Sequence, residues 1–463
     1  MRQHQGKFQT IADANKGQRS AETAGYRQSA FYVRDQLKAA GYRVTLQPFE
    51  FLKYYEIGPS TFEKTAPPTP VLIFTQGENF DVMTNSDPGE ATAAVRAVGD
   101  FDEAPNPPDP NKHYGCAAED FVGFPTGDIA LVQRGNCPFW MKATNAATAG
   151  AAAVIIIERA DNTGLPNGDV GGLYAGGIPV FEATNAVGAQ LRPLEGLQMH
   201  LKANVFRKHF KSLNVLAETR GGDPKNVVMV GAYLDSFNQG PAKKSPGINS
   251  NGSGSAAVLE TALQMAKVSP RNKVRFAWWG ANEAGYAGSQ SYLTSLAPDQ
   301  LGNIALYLNF ETLGSPNYAR FIYPGAETIQ AVFRDFYTAR GLAYKLDDRW
   351  YWNQSDYAVF NSYGIGVGGL TTGRDEEKTE EEAAAFGGKA GQAYDYCYHK
   401  ACDTFQNTET EAGLEVLDQN ADAVAYSTLL FSRDTTILNK LKVEQALRAA
   451  VAGTLTPSGG NTQ

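Results

Sequence analysis

From Val215 onward the chain alternates apolar runs of strand length with stretches of helical length. VVMVGAYLD over 227–235 reads as a strand buried on both faces, and Gly252 to Lys267 as a helix. KVRFAWWGA over 273–281 is the next strand, Ala284 to Ser295 a helix, and IALYLNF over 304–310 a further strand. This order predicts βαβ units and an α/β fold with a mixed, largely parallel sheet flanked by helices. In such sheets ligands gather beyond the carboxyl ends of the strands. The residues at those ends are Tyr233 and Asp235, Asn282 and Glu283, and Glu311.

The region upstream has a different texture. Arg27 to Ala40 has helical spacing and is followed by Gly41, and Tyr42 to Phe51 alternates like a half-buried strand. Pro, Gly, Asp and Asn then interrupt short apolar runs. VLIF (71–74) and IALV (129–132) read as strands of a β-rich module, with a helix over Met141 to Ala149 and a buried strand in AAAVIIIE (151–158). The expected domains are 1–51 and 207–463, forming one α/β domain, with 52–206 inserted between them. The net charge of −8 and the absence of a basic block argue against nucleic acid and anionic membranes. No apolar run approaches the roughly 20 residues that span a bilayer.

The four Cys fall into two near-sequence pairs, Cys116/Cys137 and Cys397/Cys402. Such pairs suggest disulfides and an oxidising compartment, with buried thiols as the alternative. The polar start MRQHQGKFQT has no apolar signal core. The expectation is a secreted or extracytoplasmic protein whose signal peptide is absent from this sequence.

Several long strings carry a resemblance: NKGQRSAETAGYRQSAFYVRDQLKAAGYRVTLQPFEF, GDIALVQRGNCPFWMKATNAATAGAAAVIII, GINSNGSGSAAVLE, FAWWGANEAGYAGSQSYL, YLNFETLGSPN and YDYCYHKACDT. Together they resemble the M28 family of zinc aminopeptidases with an inserted PA (protease-associated) domain. The resemblance implies metal ligands at Tyr233, Ser250, Glu283, Glu311 and His399, and a general base at Asn282. Of the metal positions, Glu283 and His399 keep the family residue, Glu311 replaces Asp, and Tyr233 and Ser250 replace His and Asp.

On that resemblance the expected metal content is none, because a neutral Ser hydroxyl bridges two zinc ions poorly and a Tyr phenol with a reference pKa of about 10 keeps its proton. A single zinc on Glu283, His399 and Glu311 is the alternative. Asn282 cannot accept the proton of an attacking water. The expectation is therefore lost di-zinc peptide hydrolysis and metal-independent acid–base chemistry on a small amine, amide or peptide-like compound. Glu311, His399, Glu283, Tyr233 and Tyr398 are the expected catalytic groups; Asn282, Ser250, Asp235, Gln354 and Trp352 are the expected substrate contacts. Glu283 and His399 are expected to pair, and Glu311 to be raised in pKa beside another carboxylate. A non-catalytic pseudopeptidase and a single-zinc aminopeptidase are the alternatives, with a protein partner on the PA domain as a further option. The charge run RDEEKTEEE (374–382) reads as a solvated loop or helix start.

Overall fold

The computed structural model describes residues 1–102, 111–172, 174–240, 243–347 and 355–438. The chain forms two compact units: Met1–Phe51 with Phe210–Gln463, and Leu52–His209.

The chain begins with two helices, α1 (Arg2–Ala14) and α2 (Ala24–Ala39), and enters strand β1 (Arg43–Glu56). The Thr23 side chain caps α2 by accepting from the Tyr26 N–H. α1 is absent from the sequence reading. Its buried face is His4, Gln5, Phe8, Ile11 and Ala12, so polar residues stand where an apolar stripe announces a helix.

The second unit holds β2 (Thr61–Ala66), β3 (Phe80–Val82), β4 (Gly89–Ala97), β5 (Ile129–Gln133), α3 (Phe139–Thr148), β6 (Ala153–Ile157), β7 (Val180–Ala183), α4 (Asn185–Leu191) and β8 (Gln198–Ala203). Its seven strands form a sheet in the order β2-β8-β4-β5-β6-β7-β3. β5 and β6, buried at every position, are its centre. VLIF (71–74) is not a strand in this sheet. Leu72 and Phe74 pack on the core, while Val71 and Ile73 are 77% and 85% exposed. Prolines at 67, 68 and 70 precede it, and a proline N contributes no ladder donor.

The chain returns through β9 (Val205–Glu218) and β10 (Asp223–Tyr233), followed by α5 (Gly252–Met265), β11 (Asn272–Trp279), α6 (Ala287–Thr294), α7 (Pro298–Gly302) and β12 (Ile304–Phe310). Then come β13 (Phe321–Ile322), α8 (Glu327–Thr338), β14 (Lys345–Leu346), α9 (Asp356–Ser362), β15 (Gly366–Thr371), α10 (Glu380–Phe386) and α11 (Glu411–Arg433). The eight-stranded sheet runs β1-β9-β11-β10-β12-β15-β13-β14. Its centre, β11-β10-β12-β15, is parallel, and β9 and β13 pair antiparallel to its flanks. The predicted α/β class with a largely parallel sheet is therefore observed. Residues 227–233 of β10 are all buried, which is why that strand reads as a continuous apolar run. α5 crosses the sheet so closely that a Cβ at Gly254 would lie 2.1 Å from the Phe310 carbonyl oxygen. Trp278 and Trp279, at the end of β11, are fully buried core residues.

Candidate active site

The strand ends of the first unit converge as parallel α/β topology requires. Tyr233 closes β10, a one-turn helix Asn282–Ala284 follows β11, and Glu311 follows β12. Eight non-glycine residues among those described have positive φ, and four of these lie at this site: Ala281 (56°), Tyr286 (59°), Thr312 (50°) and His399 (57°). Three of the other four are Asn, which tolerates this region; Ala, Tyr and Thr do not, and such strain gathers at functional sites.

Asp235, expected to contact substrate, instead orients the next turn. Its Oδ1 accepts from the Asn282 N–H at 3.0 Å and its Oδ2 from the Glu283 N–H at 3.2 Å. Burial pushes its pKa well above the usual carboxylate range, and Glu283 adds to the rise. Asn282 gives its side-chain amide to Asp356 Oδ2 at 2.8 Å. Burial lifts the Asp356 carboxyl to about 7, so it carries a proton through part of the neutral range.

Ser250 is fully buried in the loop before α5. Its N–H donates to Asp403 Oδ2 at 3.1 Å, and its carbonyl accepts from Thr312 N and Oγ1, both at 3.0 Å. Asp403 also accepts the Asn249 N–H at 2.6 Å, so this aspartate fixes the loop.

Glu311 corrects an expectation. Its close ionic neighbour is the Arg374 guanidinium, Nη2 to Oε1 at 2.6 Å, rather than another carboxylate. The Tyr323 hydroxyl donates to Oε1 at 2.6 Å and the Ser355 hydroxyl to Oε2 at 2.9 Å. Tyr233 and Tyr398 are held neutral, because burial pushes both phenols well above 10. They are hydrogen-bonding groups here, not phenolates.

Glu283 Oε1 and His399 Nε2 lie 2.9 Å apart, close enough for an ion pair. The two atoms are out of line for a hydrogen bond, and neither has another hydrogen-bond partner among the described residues. The expected pair is therefore in contact without the aligned bond that would complete it. The His399 ring is held between Phe237, at 4.3 Å and 10°, and Tyr398, at 3.8 Å and 17°. The Cys397–Cys402 disulfide closes the loop that carries it, and Cys116–Cys137 is the second disulfide. Trp352 and Gln354 lie outside the described residues.

Arg374 escaped the sequence reading because it opens a run of charges. Yet β15 ends at Thr371, so the strand-end rule that found Glu311 also points to it. Lys378 and Glu382 of the same run are buried as well, and Thr379 caps α10. The run is in part the helix start read from the sequence, with Asp375, Glu377, Glu380 and Glu381 exposed, but Lys378 and Glu382 are turned inward.

The donor set bears on zinc. A carboxylate oxygen and an imidazole nitrogen, buried, adjacent and without hydrogen bonds, fit two ligands of one ion. Glu311 does not complete them, since Arg374, Tyr323 and Ser355 meet its oxygens, and no group of three His, Cys, Asp or Glu among the described residues is arranged around a metal position.

Comparison with known proteins places this geometry. The model described as Peptidase family M28 matches residues 214–426, and that of the PA domain matches 103–191. A Pseudomonas aeruginosa (strain UCBPP-PA14) protein named "Aminopeptidase" is 45% identical over 451 residues, covering 94% of this chain and 80% of its own. The solved structure of an aminopeptidase from Aneurinibacillus sp. strain AM-1 is 26% identical with a TM-score of 0.60, covering 94% of both chains. A Bacillus subtilis structure titled as BSAP, a zinc aminopeptidase, is 22% identical with a TM-score of 0.54, covers 92% of this chain and 93% of its own, and shares the fold. These findings overturn two expectations. The relative at 45% identity is named for the activity that was expected to be lost, so repurposed or absent chemistry does not stand. The expectation of no cofactor fails likewise, because the chain falls among the M28 aminopeptidases, the family whose zinc the resemblance implies. With a relative this similar along nearly the whole chain and both patterns matched, the chain belongs to peptidase family M28, is an enzyme of its aminopeptidase type and carries a PA domain.

Proposed function

We propose that this protein is an aminopeptidase, removing the N-terminal residue from peptides or small peptide-like amides at the cleft formed by Glu283, His399, Glu311 and Arg374. The observation that carries the reading is the pair Glu283 Oε1 and His399 Nε2, which no group among the described residues satisfies. Buried polar atoms without partners are rare in finished structures and point to a ligand. Glu283 and His399 would supply two of the ligands of a zinc ion, one fewer than the three protein ligands usual at a catalytic zinc. Such an ion supplies Lewis-acid polarisation of the scissile carbonyl.

The chain's own residues set the rest. Asp235 holds the backbone of Asn282 and Glu283, so the Glu283 carboxylate is presented at a fixed angle. Phe237 and Tyr398 hold the plane of the His399 ring. Asp356, titrating near 7 behind Asn282, is the carboxyl that can hold or release a proton at working pH. Arg374 offsets the charge of Glu311, so two carboxylates coexist in one buried cleft. The two disulfides support an extracytoplasmic location, where oxidised cysteines persist.

The test is release of p-nitroaniline from a panel of aminoacyl p-nitroanilides by the zinc-loaded full chain. Turnover that stops on chelation and returns with zinc is the expected result. No release from any free-amino substrate at saturating zinc would overturn the reading.

A further inference from the structure

Arg19 lies in the loop between α1 and α2 and is fully buried. The match to the M28 family model begins only at residue 214. Arg19 nevertheless reaches both ends of the single connection between β10 and α5, residues 234–251, which carries the cleft's first residues. Its Nη1 donates to the Leu234 carbonyl at 3.0 Å, just after β10. Its Nε donates to the Pro246 carbonyl at 3.0 Å, and its Nη2 to the Gly247 carbonyl at 2.8 Å and to Asn251 Oδ1 at 2.7 Å, just before α5. The backbone adds a reciprocal pair, Arg19 N–H to Ser236 Oγ at 2.8 Å and Ser236 N–H to the Arg19 carbonyl at 3.2 Å.

The grip passes on toward the site in two steps. The Asn251 side-chain amide donates to the Asp235 carbonyl, and the Asp235 carboxylate holds the N–H groups of Asn282 and Glu283. α1 backs the same loop: Gln5 Nε2 donates to the Ile248 carbonyl at 3.1 Å, and the Phe8 ring lies 4.8 Å beneath the guanidinium. The packing leaves no slack, since a Cβ at Gly247 would stand 2.5 Å from Asn251 Oδ1 and 2.7 Å from Ser236 Cβ.

Burying a guanidinium against carbonyls and an amide, with no carboxylate among the described residues hydrogen-bonded to it, is a poor device for stability alone. A planar fork that reaches both ends of one long loop at once is a good device for register. We propose that Arg19 is a positioning residue of the cleft, fixing the start of the β10–α5 connection against its end and, through Asn251 and Asp235, the placement of Glu283. As a statement about catalysis this rests on the aminopeptidase reading; as a statement about the loop it does not.

The experiment compares the full chain with Arg19→Met, Arg19→Lys and Gly247→Ala. It reads steady-state turnover of an aminoacyl p-nitroanilide and backbone hydrogen exchange over 234–252 and 282–283. Arg19→Met is expected to lower kcat about 100-fold with KM within about threefold, the scale of an ångström's misplacement. Arg19→Lys keeps the charge and part of the reach, and should recover about tenfold of that loss. Exchange in both segments should accelerate by about tenfold or more in Arg19→Met.

A folded Arg19→Met with the parent's kcat and exchange, or with kcat held and only KM raised, overturns the proposal. Where Arg19→Met does not fold, Arg19→Lys and Gly247→Ala decide, and parental kcat and exchange in both overturn it. Where the parent itself turns over no substrate, the aminopeptidase reading fails and exchange alone decides: unchanged protection in all three variants sinks the loop clamp.

Discussion

The cleft holds two glutamates that contrast sharply. Glu311 ends a closed network: Arg374, Tyr323 and Ser355 bond its carboxylate, and the chain of bonds continues from Ser355 to Asn309 at 3.1 Å, Tyr307 at 2.8 Å and Trp279 at 2.8 Å. Among the described residues, Glu283 leaves Oε1 without a hydrogen bond beside a His399 Nε2 that has none either. A buried network in which every member is satisfied is completed by folding itself. An open corner of the same cleft is completed by something that binds. The difference assigns the two carboxylates different work, Glu311 to architecture and Glu283 to the ligand.

Removing the cation from the closed corner is the harshest challenge to this contrast. Arg374→Met strands the Glu311 carboxylate in a buried site with only neutral donors. Breaking a buried pair from one side costs about 3–5 kcal/mol, read as a shift in urea unfolding. A loss below about 1 kcal/mol would mean that Glu311 is not locked, and the distinction would collapse. Next in size is the response to zinc. At 100 times its dissociation constant, zinc should stabilise the parent by about 2.7 kcal/mol, and neither Glu283→Gln nor His399→Ala should show the gain. Equal stabilisation of parent and variants, measured by thermal shift, would move the ion elsewhere.

What the sequence discloses of these two corners follows from how far apart their parts lie along the chain. β10 and β12 are legible because their central stretches are buried on both faces and read as unbroken apolar runs. The strand-end rule then delivers Tyr233, Glu283 and Glu311. It would deliver Arg374 past the end of β15 as well, but that strand, GVGGLT, carries too many glycines to be read as one, and the acidic run after Arg374 disguises it. Glu382, a further member of that run, is buried against Lys345 and Tyr394, contacts that no local pattern announces. α1 is hidden because His4 and Gln5 occupy its buried face, and VLIF misleads because a strand needs a neighbour as well as an apolar run. The motif strings identify the family, while residue-by-residue chemistry alone misjudges the activity. An amide at 282 says little without knowing that the Asp356 carboxyl stands directly behind it.

Asp356 connects the two corners, bonding Asn282 beside Glu283 while its neighbour Ser355 bonds Glu311. Its folded pKa is raised from 3.8 to about 7, so between those values the native state binds more protons than the unfolded state. Stability therefore falls as pH rises through that window, by up to about 1.4 kcal/mol per pH unit at the steepest. Asp395, also lifted to about 7 by burial with Asp403 adding to the rise, contributes in the same direction. Asp356→Asn should flatten part of the slope between pH 4 and pH 7 and leave the Asp395 share. An unchanged slope in chemical denaturation would show that Asp356 ionises freely and that the corners are not joined through it.

The smallest effect is the most discriminating. In zinc-free protein, Glu283→Gln changes a carboxylate oxygen that has no hydrogen bond to lose, into a neutral group of the same shape. Its stability should stay within about 0.5 kcal/mol of the parent, as for a substitution that breaks no hydrogen bond and gives up only the unaligned contact with His399. The same exchange at Glu311 removes the charge that Arg374 meets and should cost several times more, about 2 kcal/mol or above. Were Glu283→Gln to cost as much as Glu311→Gln without metal, Glu283 would already be satisfied by the fold, and the opening attributed to a ligand would be a second closed corner.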